Sequence, residues 1–278
     1  MSYQIYTTTG CVRCKIVKRY LNANKIAYAE YDFKAEGKEA FSRFYREHRH
    51  KIFRDQDGVE FPVFTNGTVI RQGVGVVIGY LVAGDALSEY ISRSLLHGEW
   101  IDGFDISRGD PGKSEELIQV LTFLKQNGLR IQLTTDGRNG SVLEKIIDNG
   151  LADRVIMEVR GPGHLYEPLT GRSLHDAELE QSVVLTTRAP EYLFFTTVMP
   201  MIQGGSEFRY LTPEEVGQTA ELIATATGSN THPYELRSFD PLQANDVKLR
   251  TVAALSAGDL FKYRTAARRN MIKTEVKT

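Results

Sequence analysis

The stretch Gly10-Cys11-Val12-Arg13-Cys14 contains both cysteines of the chain, separated by two residues. It follows an apolar-alternating segment at 3–8 and precedes a helical pattern of apolar residues. A strand, a tight turn and a helix would place Cys11 at a helix N-terminus, where unpaired N–H groups and the helix dipole stabilise a thiolate. Cys14 falls one helical turn later, within reach of Cys11 for a disulfide. The spacing predicts thiol–disulfide exchange in which Cys11 attacks and Cys14 resolves.

Cations cluster around the two thiols. The sequence places Arg13, Lys15, Lys18 and Arg19 shortly after Cys11, and nearby positive charge favours a thiolate. The alternatives for the pair are two incidental thiols or half of a metal site. A structural zinc site needs four ligands, and none of the six histidines lies close to the cysteines in sequence. No metal ligand is therefore predicted.

The composition is that of a soluble globular protein. The chain has 278 residues, 41% hydrophobic and 25% charged, with a net charge of −1, and this length suits about two domains. The charge balance gives no indication of a nucleic-acid or membrane partner. No basic region precedes an apolar run at the start, and no apolar run approaches the ~20 residues that span a bilayer. We therefore expect a cytoplasmic protein, where a lone CxxC is more often catalytic or metal-binding than structural.

The first segment, residues 1–84, follows the order β-α-β-α-β-β-α. The expected strands are 3–8, 27–33, 59–64 and 68–71, and the expected helices are 14–22, 38–50 and 74–81. Asn66-Gly67 between two apolar runs is a strong hairpin signal. The segment is therefore predicted to form a small mixed sheet with helices.

This order, with CxxC after the first strand and Pro62 opening the third, resembles the glutaredoxin family of the thioredoxin fold. The resemblance implies a cis Pro62 that faces the cysteines, and it makes Gly73 and Gly75 the glycines that follow the fourth strand. It also implies that Arg13, Phe61, Pro62 and Gly73 bind substrate. From the residues alone, Pro62 would be an edge-strand proline, because cis X–Pro bonds are uncommon.

The segment departs from the glutaredoxin pattern at the positions that hold glutathione. Glutaredoxins usually have a lysine where this chain has Thr8, a threonine where it has Glu60, and an aspartate near Val76 and Val77. Because glutathione is anionic, Glu60 is expected to repel it. The motif is more similar to the small glutaredoxin-like hydrogen donors of ribonucleotide reductase, which exchange with protein disulfides. We therefore expect a protein disulfide as the substrate.

The remainder of the chain predicts a second domain. Residues 85–98 have helical apolar spacing and are predicted as a connecting helix. Beyond them, strands are expected at 103–107, 130–135, 154–159, 192–198 and 234–238, and helices at 114–127, 141–149, 177–185, 212–227 and 244–256. Alternating strands and helices imply a parallel sheet. The predicted fold class is α/β, with a thioredoxin/glutaredoxin-like fold at 1–84 and a partial (β/α) barrel at 99–278.

Five phrases of the second domain, at 105–111, 133–137, 157–160, 195–200 and 233–241, fall in a recognisable order. Together they resemble the radical S-adenosylmethionine (SAM) activating enzymes, which install glycyl radicals on anaerobic ribonucleotide reductase and pyruvate formate-lyase. That family holds a [4Fe–4S] cluster with three cysteines, whereas this chain has none beyond Cys14. Such clusters take three or four thiolates, so the cluster and its radical chemistry are excluded for a single chain. A [2Fe–2S] cluster shared by two chains is the alternative.

A stretch that contacts SAM in this family is partly retained. Gly109, Asp110 and Pro111 match it, but Arg108 replaces the first glycine and its charge opposes the methionine amino group. Gly109 and Asp110 are the cofactor-binding candidates, and SAM binding is not expected. The alternative is a simple β-to-α turn.

Other candidates belong to loops and strand ends. His164 and His232 are interpreted as residues of a surface loop and a turn. The charged side chains at strand ends would form a polar pocket or pair with one another; they are Arg108, Asp136, Glu158, Arg160 and Arg237. Gly204-Gly205 is expected to be a flexible loop, and 265–278 a frayed basic tail.

Two functions follow from these observations. The first is a thiol–disulfide oxidoreductase that acts on a protein disulfide through Cys11 and Cys14, with the second domain as a docking module. The alternative is a redox-sensing binding module that docks a radical enzyme or another partner without turnover. Neither function includes active radical SAM chemistry.

Overall fold

A computed structural model describes residues 3–203, 207–244 and 246–277 of this α/β protein. By its contacts the chain divides into unit 1, Met1–Gln132, and unit 2, Leu133–Thr278. The division falls inside a strand, Arg130–Thr135. The domain limits expected from the sequence, 1–84 and 99–278, stay predictions.

Unit 1 contains both predicted features of the first segment, a mixed sheet and flanking helices. Its elements are β1 (Tyr3–Thr7), α1 (Val12–Ala23), β2 (Tyr28–Asp32), α2 (Lys38–His48), β3 (Arg54–Asp55), β4 (Gly58–Val59), β5 (Val63–Thr65), β6 (Ile70–Gln72), α3 (Val74–Ala83), β7 (Trp100–Asp105), α4 (Ser114–Gln126) and the first residues of β8 (Arg130–Thr135). The order β-α-β-α-β-β-α is confirmed over the first segment, with the short hairpin β3–β4 added.

A four-stranded sheet with the order β2-β1-β5-β6 forms the centre of the first segment. Strand β1 is parallel to β2 and antiparallel to β5. Ile5 lies opposite Phe64, and Tyr6 lies opposite Val63, so the two pairs point to opposite faces. Tyr6 and Val63 pack in one cluster with Phe41 of α2. The sheet is therefore covered on this face by an aromatic layer.

The segment predicted as a connecting helix over 85–98 has a different structure. A 3-10 turn covers Gly84–Leu87, and the chain then runs extended, with an antiparallel bridge between Ile91 and Phe104. The N–H of Ser92 donates to the carbonyl of Gly103 (2.7 Å). This pairing beside β7 replaces the internal hydrogen bonds of a helix, so the helix prediction is wrong. Ile91 is buried in the observed bridge, as it would be in a helix, so the apolar spacing did not distinguish the two structures.

Unit 2 alternates strands and helices. Its elements are the remainder of β8, α5 (Gly140–Asp148), β9 (Arg154–Glu158), α6 (Tyr166–Thr170), α7 (Asp176–Thr186), β10 (Glu191–Val198), β11 (Pro200–Gln203), β12 (Glu207–Tyr210), α8 (Pro213–Thr227), β13 (Tyr234–Ser238), α9 (Ala257–Ala267) and β14 (Thr274–Lys277). The predicted parallel sheet is confirmed. The hairpin β11–β12 was not predicted.

The parallel sheet has six strands in the order β14-β13-β10-β9-β8-β7, and β8 contributes residues to both units. In unit 2 the pairs β9–β10, β10–β13 and β13–β14 are all parallel. Apolar strand side chains, such as Phe194 and Leu236, pack in one buried cluster with Val183 of α7 and Val216 of α8. Strand and helix patterns in the sequence thus give the expected two-layer packing.

Two predictions near the C-terminus are wrong. Instead of a helix over 244–256 the chain has 3-10 turns at Pro241–Gln243 and Val247–Thr251, and helix α9 begins after Ser256. Ser256 and Asp259 form a capping box that sets this start. Within the predicted frayed tail, β14 pairs with β13.

The predicted loop Gly204-Gly205 lies outside the described residues. Across the described ranges, no helix has the length and apolarity needed to cross a membrane.

Candidate functional site

Cys11 and Cys14 are joined by a disulfide at the start of α1, with their Cα atoms 5.3 Å apart. Gly10, at φ +84°, turns the chain out of β1, and the N–H of Cys11 donates to the carbonyl of Thr8 (3.1 Å). Cys11 is the N-cap of α1 and is partly exposed, whereas Cys14 is buried. Cys11 is therefore the sulfur that an external molecule reaches first.

Two backbone groups approach the Cys11 sulfur. The N–H of Cys14 donates to Cys11 Sγ (3.0 Å), and the carbonyl oxygen of Phe61 lies 3.9 Å from the same atom. The Phe61–Pro62 peptide bond is cis, as the glutaredoxin resemblance implies. The edge-strand interpretation of Pro62 is wrong, because β5, which follows it, lies between β1 and β6.

Arg13, between the cysteines, is held inside unit 1. Its Nη1 donates to Glu60 Oε1 (3.2 Å), and its Nη2 donates to the carbonyls of Trp100 (3.0 Å) and Leu96. Only 13% of the side chain is exposed. The guanidinium thereby links the cysteine turn to the loop that precedes Pro62 and to the start of β7. Its predicted contact with substrate stays a prediction.

Glu60 has a second cationic partner. Arg93 Nη1 donates to Glu60 Oε2 (3.2 Å), and the guanidinium of Arg93 stacks over the Phe53 ring at 3.4 Å from its centre. Each carboxylate oxygen of Glu60 thus accepts from one arginine. Glu60 was expected to repel anionic glutathione, but its carboxylate is paired and presents no uncompensated negative charge.

The other predicted cations lie away from the thiols or have partners. Lys18 Nζ pairs with Glu30 (2.8 Å), and Arg19 donates to the side chain of Asn127 (3.1 Å). Lys15 is exposed. Helix α1 itself, through the N–H groups of its first turn, remains the main local feature that favours a thiolate at its N-cap.

Gly73 joins the cis-proline loop to α3. Its N–H donates to the carbonyl of Pro62 (3.0 Å), and its carbonyl accepts from the N–H of Val77 (3.0 Å). At φ +88° the position favours glycine. A Cβ there would lie 3.4 Å from Glu60 Oε1. At Gly75 a Cβ would lie 3.3 Å from the Phe104 ring, so this second glycine permits close packing.

An apolar groove lies beside the disulfide and was not predicted. We call it the aromatic groove; its walls include the rings of Phe33, Phe41, Tyr45 and Phe61. Phe41 and Tyr45 belong to α2. Sequence reasoning missed the groove because it did not consider that the ring of Phe61, next to the predicted cis proline, joins the rings of α2.

Gly109 and Asp110 have local structural roles. A Cβ on Gly109 would lie 2.2 Å from the ring of Tyr90, which is fully buried. Burial, followed by the charge of Asp110, raises the pKa of Tyr90 to about 12. Asp110 caps the 3-10 turn at Pro111–Lys113 by accepting from the N–H of Gly112 (2.9 Å). These residues have the structural roles of a β-to-α turn, and the expectation on SAM binding stays a prediction.

In unit 2, the strand-end charges are largely paired with one another. Arg160 Nη2 lies 2.7 Å from Glu158 Oε2, and its Nε lies 3.5 Å from Asp136 Oδ2. Glu158 also accepts from the hydroxyl of Thr197 (2.8 Å). Arg138, which the sequence did not single out, donates to Asp136 (2.9 Å). The interpretation as mutually paired charges is confirmed for this cluster.

Two further arginines of the predicted polar set also have acidic neighbours. Arg108 Nε lies 3.0 Å from Asp105, and Arg237 Nη2 lies 2.7 Å from Glu235. The Arg237 guanidinium stacks over the Phe195 ring at 3.8 Å from its centre. These contacts stabilise the strand ends and provide no separate catalytic group.

The two candidate histidines have different environments. His164 is exposed in a 3-10 turn. His232 Nδ1 lies 2.8 Å from the hydroxyl of Tyr192, and the ring also contacts Phe194. Burial, assisted by Lys273, lowers the pKa of His232. His232 thus lies in a bend before β13, as the turn interpretation expected, and its half-buried ring packs against Tyr192 and Phe194.

The described ranges contain no group of three or more His, Cys, Asp and Glu side chains placed to hold a metal ion. The two cysteines are bonded to each other. A [4Fe–4S] cluster takes three or four thiolates, so the residues of one chain do not fit it.

Comparison with known proteins shows similarity to solved structures. No family model matches the chain. No curated protein matches it in sequence. Among solved structures, the chain is similar to the crystal structure of a domain of a pyruvate-formate lyase-activating enzyme from Bacteroides vulgatus ATCC 8482, with 13% identity and a TM-score of 0.42 over 63% of this chain and 98% of that one.

Proposed function

We propose that the protein is a thiol–disulfide oxidoreductase whose Cys11/Cys14 pair acts on a protein disulfide. The observation that carries the proposal is the environment of Cys11. This residue caps α1, is partly exposed, and accepts the N–H of Cys14 (3.0 Å). In the reduced protein, the same N–H stabilises a thiolate on Cys11.

The exchange proceeds in two balanced steps. The Cys11 thiolate attacks one sulfur of the substrate disulfide, forms a mixed disulfide, and releases the other substrate sulfur as a thiolate that takes up a proton. The Cys14 thiolate then attacks the Cys11 sulfur and releases the second substrate thiol. The substrate gains two electrons, the protein becomes the disulfide seen in the structure, and an external dithiol restores it.

The arrangement around the cysteines supports a glutaredoxin-like first segment. Its sheet has the order β2-β1-β5-β6, with one parallel and two antiparallel pairs. Cys11 follows β1, cis Pro62 precedes β5, and Gly73 follows β6. In this proposal, the second domain is a radical SAM-like docking module without a cluster.

One observation favours redox sensing as a second candidate. The two carbonyls that accept from Arg13, those of Leu96 and Trp100, belong to the chain that leads into β7. A change in the cysteine turn on reduction would therefore act directly on this segment. In that function, a partner binds with different affinity to the two redox states, and no disulfide is turned over.

Insulin reduction with a dithiol reductant tests the enzymatic proposal. We expect turnover by the wild type, none by Cys11→Ser, and a trapped mixed disulfide with Cys14→Ser. Val12→Ser is the matched control because Val12 is 64% exposed and lies between the cysteines; its activity should equal that of the wild type. Absence of turnover by the wild type with every dithiol reductant would reject the enzyme and leave redox sensing.

A further inference from the structure

The aromatic groove is lined by neighbouring rings together with polar and charged side chains. It has a volume of about 570 Å³. The Phe61 ring lies 5.1 Å from that of Phe41 and 5.9 Å from that of Phe33, measured between centres. Phe41 in turn lies 5.9 Å from Tyr45. Contacting rings of this kind form a surface that binds another large apolar side chain.

The groove directly adjoins the accessible cysteine. The ring of Phe61 lines it, while the carbonyl oxygen of Phe61 lies 3.9 Å from Cys11 Sγ. Thr8 lines it as well, and its carbonyl accepts from the N–H of Cys11. A chain bound in the groove would therefore bring its neighbouring residues to the Cys11 sulfur.

The groove also has an excess of positive charge. Its lining includes Lys34, Arg46 and Arg54, and Asp57 is the carboxylate among them. All three cations are exposed. Within the described part of the chain, none of them has a carboxylate within ion-pair distance, in contrast to Arg13. Unpaired cations around an apolar surface attract carboxylates and accelerate their association.

We propose that the aromatic groove binds the segment of the protein substrate next to its disulfide, and that this segment carries an aromatic or large apolar side chain flanked by carboxylates. The apolar side chain packs on the half-buried rings of Phe33 and Phe61, and the carboxylates lie against Arg46 and Arg54. This inference depends on the proposed function only for the disulfide exchange that follows binding. The groove selects the substrate by charge and apolar contact before exchange begins.

Two disulfide-bonded peptides test the specificity, one with Glu-Phe-Glu beside its cysteines and one with Lys-Ser-Lys. We expect the wild type to reduce the acidic aromatic peptide with a kcat/KM at least about tenfold higher. Arg46→Glu with Arg54→Glu should remove this preference. Arg43→Glu, on the same helix but outside the groove lining, is the matched control and should retain the preference.

Binding without chemistry separates this inference from the enzymatic proposal. A fluorescent Glu-Phe-Glu peptide with serine in place of cysteine is titrated with the oxidised protein, and anisotropy is recorded. Binding that the double variant weakens about tenfold supports the groove, even where no disulfide is turned over. Equal binding of the Lys-Ser-Lys peptide, or an equal loss with Arg43→Glu, would overturn the inference while leaving the oxidoreductase proposal intact.

Discussion

Arg13 and Glu60 form an ion pair of 3.2 Å beneath the cysteine turn, and 13% and 17% of their side chains are exposed. Arg13 lies between the two cysteines, and Glu60 lies two residues before cis Pro62. The pair therefore joins the two chain segments that contact the Cys11 sulfur. Because little water reaches it, salt screens this pair less than a surface pair.

Removing one partner should destabilise the oxidised protein. Glu60→Gln leaves Arg13 and Arg93 side by side without their shared countercharge, and breaking a buried pair costs about 3 kcal/mol. We expect that loss in the free energy of unfolding measured with urea. Lys18→Gln breaks the more exposed pair with Glu30, 31% and 32% exposed, and should cost ~0.5 kcal/mol. Equal losses in the two variants would contradict the role of the Arg13–Glu60 pair.

Gly109→Ala should destabilise the protein by about 2 kcal/mol, because the added Cβ overlaps a packed ring. That Cβ would lie 2.2 Å from fully buried Tyr90. Gly217→Ala is the matched control, since its Cβ would lie 3.7 Å from Ala266, an ordinary contact, within helix α8. Better helix propensity should make this control more stable by up to ~1 kcal/mol. Urea unfolding of both variants checks the prediction, and a Gly109→Ala variant as stable as the wild type would contradict the close packing of Gly109 against Tyr90.

Local patterns predicted most of the fold. Strands β8 and β13 have the predicted limits, 130–135 and 234–238. The failures are segments whose structure depends on distant partners. Strand β14 has the sequence Thr-Glu-Val-Lys, which shows little apolar character, and it is ordered by pairing with β13. The start of α9 was readable from its Ser256–Asp259 capping box and was missed.

The sequence predicted only those site residues that belong to a recognisable motif. The cysteines follow from their position after β1, whereas the role of Pro62 was implied only by the resemblance to glutaredoxins. The contact between Arg13 and Glu60 joins residues 47 positions apart in the chain, and no local period encodes it. The aromatic groove likewise combines side chains of α2 with Phe61. Charge signs alone suggested that Glu60 repels an anion, because its arginine partners were not visible in the sequence.

His232 should make the stability of the protein depend on mildly acidic pH. Burial lowers its pKa from the usual 6.5, so the unfolded chain takes up a proton before the folded protein does. The free energy of unfolding therefore decreases as the pH falls below about 6.5. His232→Asn should show a smaller decrease between about pH 7.5 and about pH 5, measured with urea. His164→Asn, a change at an exposed histidine, should follow the wild type, and parallel curves for all three proteins would contradict the prediction.

Truncation after Lys273 should destabilise unit 2 by removing β14. Four residue pairs join this strand to β13, and each backbone hydrogen bond contributes about 1 kcal/mol net, so we expect a loss of about 3 kcal/mol in urea unfolding. The uncovered edge of β13 should also promote association, measurable by light scattering. Lys277→Ala removes only the ion pair of the exposed Lys277 with Glu235 (2.9 Å), which keeps Arg237 as its second partner, and should cost ~0.5 kcal/mol. If the truncated chain unfolded at the wild-type urea concentration, β14 would add nothing to the sheet, and the segment would behave as the frayed tail that its composition suggested.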